Sequence, residues 1–270
     1  MQARDSRRER DDAVTSLIFP AYNPGPRLEQ TWWEVRRFLR SAGDPWEVVF
    51  VCDGCTDGTP ERLARLVAEE ADRVRVVSYR PNRGKGFAVR RGLATARGAW
   101  RIFADVDLAY GFDDIERLAR ALRAGADVAI ASRMHPDSRL VMPPRLQGYV
   151  YRRHLQSQLF SLLTRTLLPL SQRDTQAGLK GLSSRAAGLV VPHLRCNGFE
   201  FDCELLTACV RQGLGIVEVP VCVRYEDASS TTRLRGAGGL LRALWRIRRT
   251  WRFPRAVPVE PGQPERRGAA

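Results

Sequence analysis

Asp105-Val106-Asp107 has the clearest chemical pattern in the chain. Two carboxylates one residue apart at the end of an apolar run repel each other unless a cation sits beside them. Mg2+ or Mn2+ suits such a pair, because these ions take few protein oxygens and complete their shell with phosphate oxygens. The start of a helix near Asp113 and Asp114 would also account for the pair. Arg83-Gly84-Lys85-Gly86 is the second centre. Its glycines allow close backbone approach to an anion, and Lys85 adds a point charge at the start of a helix, as a phosphate cradle requires; an ordinary turn uses the same residues. It is not a Walker A loop, since Tyr79 and Gly86 stand where that motif has Gly and Ser or Thr. Asp53 can accept hydrogen bonds from a ring N–H or a hydroxyl, and Tyr22 offers a flat face to a base.

Cys52-x-x-Cys55 invites a zinc or thioredoxin reading, but Cys196, Cys203 and Cys209 supply no second pair at that spacing. The first twelve residues are charged and contain no apolar run, so the six cysteines are expected as reduced thiols in the cytoplasm.

Alternating elements would position these groups. Residues 14–19 read as a buried strand ending at Pro20. Leu28, Trp32, Val35 and Leu39 then form one stripe of a helix that Ala42-Gly43 ends. A strand over 46–52 leads to a helix capped by Thr59, with Pro60 at its first position and Leu63, Leu66 and Val67 facing inward. The alternation continues with strands at 74–79, 100–104 and 127–132 and helices at 85–96 and 113–122. This predicts an α/β fold, a mostly parallel sheet with helices on both faces, whose ligands sit beyond the carboxyl ends of the strands. Tyr22-Asn23, Asp53 and Asp105-Val106-Asp107 then share one rim. Helices over 148–168 and 200–212 and strands over 179–182 and 216–225 complete the core.

The 270 residues, 44% hydrophobic and 27% charged, suffice for one large domain, and no run of eighteen apolar residues exists to span a bilayer. The organisation expected is a disordered leader at 1–13, a domain at 14–228, a basic amphipathic segment at 229–252 and a disordered tail at 253–270. The formal charge is +14, and Lys85 and Lys180 are the only lysines in an arginine-rich chain. Such charge suits nucleic acid, a membrane surface or a phosphorylated substrate. The arginines follow no helix-turn-helix, zinc-finger or aromatic RNA-platform pattern, so no nucleic-acid partner is expected. Leu240, Leu241, Leu244, Ile247 and Trp251 form a stripe flanked by arginines, which describes a helix lying on anionic headgroups. Tyr151, Leu155, Leu159, Leu162 and Leu163 in the 148–168 helix suit either a second surface contact or core packing.

In their order, Phe19-Pro20-Ala21-Tyr22-Asn23, Val51-Cys52-Asp53-Gly54-Cys55-Thr56-Asp57-Gly58-Thr59, Asn82-Arg83-Gly84-Lys85-Gly86 and Asp105-Val106-Asp107 resemble the family 2 inverting glycosyltransferases of GT-A (Rossmann-like) fold. Ala131-Ser132-Arg133, Asp174-Thr175-Gln176-Ala177-Gly178-Leu179-Lys180 and Phe201-Asp202-Cys203-Glu204-Leu205-Leu206 resemble the polyprenyl-phosphate branch, in particular dolichyl-phosphate glucosyltransferases. The resemblance implies that Pro20, Tyr22, Asn23, Asp53, Gly84, Lys85 and Asp105 bind the donor nucleotide. It makes Asp107, with Asp105, the ligand of Mg2+ or Mn2+. Asp202 takes the place of the acceptor-activating carboxylate, and Arg133, Gln176 and Lys180 fall on the acceptor side. The implied reaction moves a hexose, glucose from UDP-glucose before mannose from GDP-mannose, to a polyprenyl phosphate or another small acceptor. It would occur on the inner face of an anionic membrane, with the protein bound peripherally. This chain has Cys52-Asp53-Gly54-Cys55 where the family commonly has Asp-Asp-Gly-Ser, and Pro24 where Glu commonly follows Tyr-Asn.

Overall fold

A computed structural model of the chain describes residues 13–225 and 237–251. Residues 1–12 of the expected leader, 229–236 and 252 of the basic segment, and the whole expected tail lie outside the described residues. Strands β1 (Thr15–Ala21), β2 (Trp46–Asp53), β3 (Val74–Tyr79), β4 (Trp100–Phe103), β5 (Val128–Ser132), β7 (Lys180–Ser183) and β8 (Ile216–Pro220) form one sheet in the order β3-β2-β1-β4-β7-β5-β8. The chain lays β2 and β3 to one side of β1, then returns to place β4 on the other. The crevice at the carboxyl ends of β1 and β4 is therefore a topological switch point, where open α/β sheets bind ligands.

Helices cover both faces, which is why β1 and β2 are buried almost throughout and read as continuous apolar runs. Alternate strand residues serve the two sides. Leu17, Phe19, Val48 and Phe50 pack with α1 (Arg27–Ser41), α2 (Thr59–Leu66) and α4 (Phe112–Arg123). Ile18, Val49, Val51 and Phe103 pack with α3 (Lys85–Thr95), α6 (Ser184–Val190), α7 (Phe201–Arg211) and α8 (Ala237–Thr250). The long helix α5 (Gln147–Leu167) lies beside α8.

Several expectations change. The sheet is mostly parallel, as expected, but it takes in one unforeseen antiparallel strand, β7, between β4 and β5. The single strand expected over 216–225 is two. Pro220 ends β8, Asp114 captures the Cys222 N–H at 3.2 and 3.1 Å, and β9 (Cys222–Arg224) pairs instead with β6 (Arg139–Val141). Pro20 does not end β1 but sits opposite Val51 within it. Thr59 is not the cap of α2. Gly58, at φ +76°, holds that place, and Asp57 accepts bonds from the Thr59 N–H and hydroxyl at 3.1 and 2.6 Å. Neither β6 nor α6 was foreseen.

The largest correction concerns the C-terminal stripe. Leu244, Ile247 and Trp251 are at most 1% exposed and belong to the core beside Phe201 and Leu205, so they are not available to lipid. Helix stripes that face a core and stripes that face a bilayer share one period, and sequence cannot separate them. Among the described residues, no helix is long and apolar enough to cross a membrane.

Candidate active site

The rim where β1, β2 and β4 end carries the first group of predicted residues. Asn23, just beyond β1 at φ +46°, bridges to the next loop: its Oδ1 accepts the Thr56 N–H at 2.8 Å and its Nδ2 donates to Thr56 Oγ1 at 3.2 Å. Cys55, two residues past β2, binds the end of β1, donating to the Ala21 carbonyl and accepting from the Asn23 N–H at 3.4 Å each. Tyr22 remains 56% exposed on this platform, with its ring open to a flat ligand. The Cys52–Cys55 contact pulls the Cys55 thiol down to about 7 and pushes Cys52 up. Among the described residues no cluster of three metal-ligating side chains exists, so the zinc reading has no ligand set.

Asp53 ends β2 and is buried. Its carboxylate accepts the backbone N–H groups of Arg83 and Gly84 at 2.7 and 2.8 Å, so its primary role is to hold the loop that carries Lys85. Gly84, at φ +98°, is required here twice over: the backbone conformation disfavours a side chain, and a Cβ would overlap the Asn197 carbonyl. That carbonyl instead accepts the Gly86 N–H at 2.8 Å.

Lys85 opens α3 and places its Nζ 2.6 Å from Asp105 Oδ1. Burial works against its charge, but Asp105, Asp202 and Asp107 outweigh it and raise its pKa. Asp105 follows β4, and a Cβ on Gly178 would overlap its carboxylate, so Gly178 makes room for the aspartate. Asp107 is stabilised in its neutral form by burial and by the charge on Asp105, and its pKa is raised. Thr31 of α1 donates to the Val106 carbonyl at 2.6 Å and fixes the turn between the two carboxylates. Two neighbouring carboxylates in a setting that resists a second negative charge fit a divalent cation whose remaining ligands come from phosphate and water.

Opposite them, Asp202 lies in the first turn of α7, 3% exposed. Its Oδ1 is 2.6 Å from Lys180 Nζ, which also donates to the Ala177 carbonyl at 2.5 Å and sits 5.9 Å from the centre of the Phe103 ring. Lys180 is fully buried. It supports Asp202 from below and does not reach an acceptor itself, contrary to its expected place in the acceptor site. Arg133 and Asp174 form a two-pronged ion pair at 2.7 and 2.8 Å. Burial opposes both charges, yet each partner's charge prevails, raising Arg133 and lowering Asp174. Gln176 donates its backbone N–H to Asp174 at 3.3 Å and its side chain to Cys203 Sγ at 3.3 Å, beside Asp202. Arg133, Gln176 and Lys180 thus belong to one scaffold beside Asp202.

Sequence reasoning missed Glu204 and Asn197. Glu204 Oε2 accepts the N–H groups of Arg195 and Cys196 at 2.9 and 2.7 Å, while Oε1 accepts from Trp251 Nε1 at 3.4 Å. It ties α8 to the segment whose Asn197 carbonyl meets the Lys85 loop. Nothing local signals this role, since an acid in a first turn already has an ordinary explanation.

The family model described as Glycosyl transferase family 2 matches residues 16–179. Over 239 residues the chain is 31% identical to the dolichyl-phosphate beta-glucosyltransferase of Saccharomyces cerevisiae, covering 81% of this chain and 69% of that protein. Over 254 residues it is 32% identical to Glycosyltransferase AglD of Haloferax volcanii; this is 92% of the chain but only 39% of AglD, so the chain spans well under half of that relative. Among solved structures, the complex of Mycobacterium tuberculosis glucosyl-3-phosphoglycerate synthase with Mn2+, UDP and glucosyl-3-phosphoglycerate shares the fold, with a TM-score of 0.54 at 20% identity over 90% of this chain and 82% of that one.

Proposed function

The chain belongs to glycosyl transferase family 2 and is a glycosyltransferase; from that premise we propose that it moves glucose from UDP-glucose to a polyprenyl (dolichyl-type) phosphate with a divalent cation, Mg2+ or Mn2+. The observation that carries this reading is the meeting of Lys85, Asp105 and Asp107 at the switch point, across from the buried Asp202. The names of the yeast relative and others like it support glucose and dolichyl phosphate.

In this reading Tyr22 presents its ring to the base, with Pro20 and Asn23 shaping the platform beneath it. Asp53 and Gly84 hold the loop so that the Lys85 ammonium lies beside the donor diphosphate. Asp105 and Asp107 would hold the cation, which supplies positive charge to the leaving diphosphate. The acceptor oxygen attacks the anomeric carbon in line as the bond to the diphosphate breaks, which inverts that centre. A phosphate acceptor is already anionic and needs orientation more than deprotonation, so Asp202, fixed by Lys180, serves to position it; a hydroxyl acceptor would need Asp202 to take its proton.

The test is a matrix of donors and acceptors: UDP-glucose and GDP-mannose, each with polyprenyl phosphate, the uncharged polyprenol and 3-phosphoglycerate, in Mn2+. The expected product is glucosyl polyprenyl phosphate of inverted anomeric configuration. Transfer from GDP-mannose alone, or only to the soluble phosphate, would contradict the donor or the acceptor assignment respectively.

A further inference from the structure

Helix α5 carries apolar residues on both of its sides. Its protein-facing side holds the buried Val150, Ser161 and Thr164 and the half-buried Phe160, Leu163 and Leu167, with the Thr164 hydroxyl donating to the Ser161 carbonyl at 2.9 Å. Its outer side carries Tyr151, Leu155, Leu159 and Leu162, spaced by four, four and three residues and 72, 48, 61 and 55% exposed. A helix resting on a core and facing water is polar on its outer side, and a continuous exposed apolar face of this kind marks an interaction surface. Exposed Arg152 and Arg165 flank the stripe, and neither α5 nor the adjoining α8 contains an acidic residue.

We propose that this face of α5 seats the protein on an anionic lipid surface, with the apolar stripe in the headgroup boundary and the flanking arginines on lipid phosphates. The proposal rests on the lipid-phosphate reading of the acceptor, and it moves the membrane contact from the C-terminal stripe, which the core occupies, to α5. Charge complementarity selects the occupant. A second copy of the chain on the same face would bring arginine-flanked, acid-free surfaces together, whereas anionic headgroups neutralise them. The face also connects to the acceptor side of the site. Ser157 of α5 accepts from Arg133 Nη2 at 3.3 Å, Arg133 grips Asp174, and the Asp174 loop runs through Gln176 to Cys203, next to Asp202.

The experiment measures co-sedimentation of the full chain with phosphatidylglycerol–phosphatidylcholine vesicles, for the wild type, Leu155→Gln/Leu159→Gln, and the control Trp33→Gln on α1, a residue 56% exposed on the opposite layer. The double variant is expected to bind at least tenfold more weakly at an unchanged Tm, with the control unaffected. Absence of wild-type binding, equal binding by the double variant, or an equal loss in the control would overturn the proposal. So would a change from dimer to monomer in the double variant without loss of vesicle binding. Glucose transfer separates this idea from the function on which it rests. The double variant should lose at least tenfold in transfer to long-chain polyprenyl phosphate in vesicles and retain transfer to a short-chain, water-soluble one. If the wild type binds vesicles through α5 yet uses neither acceptor, the surface stands and the functional reading falls. If wild type and variant use both acceptors alike, the reverse holds.

Discussion

Lys85, at the start of the helix after β3, and Asp105 and Asp107, in the loop after β4, meet on the rim of the sheet and are partly open to water. Across the cleft, Lys180, Asp202, Arg133 and Asp174 come from β7, α7 and the segments after β5 and before β7, and they pair in the dry interior. The Lys85–Asp105 pair on the rim stays partly open to a ligand, while the pairs across the cleft are closed off by burial. Losing one charge should therefore cost chemistry on the first side and the fold on the second.

The largest separation is expected for Asp107→Asn. Transfer should fall on the order of 10²- to 10³-fold, as when a charge-stabilising group at a leaving group is removed. Stability of the unliganded protein should not fall, because the substitution relieves the repulsion that Asp105 exerts. Activity and thermal denaturation on the same preparation check both halves. On the acceptor side, Lys180→Met or Asp202→Leu alone leaves a buried charge unpaired and should cost about 3–5 kcal/mol, whereas the double variant should regain most of that stability while remaining inactive. Denaturant titrations of the three variants would break the comparison if the single changes proved harmless.

Trp245 in α8 and Trp251 just past its end sharpen it further. Trp251→Ala should cost about 3–5 kcal/mol by opening a core cavity, and Trp245→Ala, at a position 58% exposed, no more than about 0.5 kcal/mol. A costly Trp245 and a harmless Trp251 would mean that the helix is packed the other way round. The smallest effect is acid sensitivity. Because Asp174 titrates below its ordinary range in the folded protein, its contribution is present above the unfolded carboxylate pKa and is lost as pH falls through the lowered value. Asp174→Asn should therefore flatten the acid limb of the stability curve, measured by denaturation from pH 6 downward.

The same division explains what the sequence made legible. The parallel strands and the shared rim could be read because each rim group lies within a few residues of its strand end. Lys180 and Asp202 are 22 residues apart, and only the antiparallel insertion of a four-residue strand brings them together. Nothing in so short a segment announces its direction. That Asp53 also holds the Lys85 loop is not legible, because a lone carboxylate after a strand gives no hint of the two loop N–H groups, some thirty residues on, that meet it. Helices α5 and α8 show the limit most plainly. Both have apolar stripes at helical spacing, yet one faces solvent and the other the core, and the difference lies in what the rest of the chain places against them.

The most direct test of the account follows labelled glucose from UDP-glucose into the organic phase of a reaction containing polyprenyl phosphate and Mn2+. The account predicts label in the lipid fraction with the wild type, and a loss of at least about a hundredfold with Asp107→Asn or with excess chelator. Undiminished transfer in the variant and in chelator would contradict the role given to the rim aspartates, and a folded wild type that binds UDP but leaves all label in water would contradict the lipid acceptor.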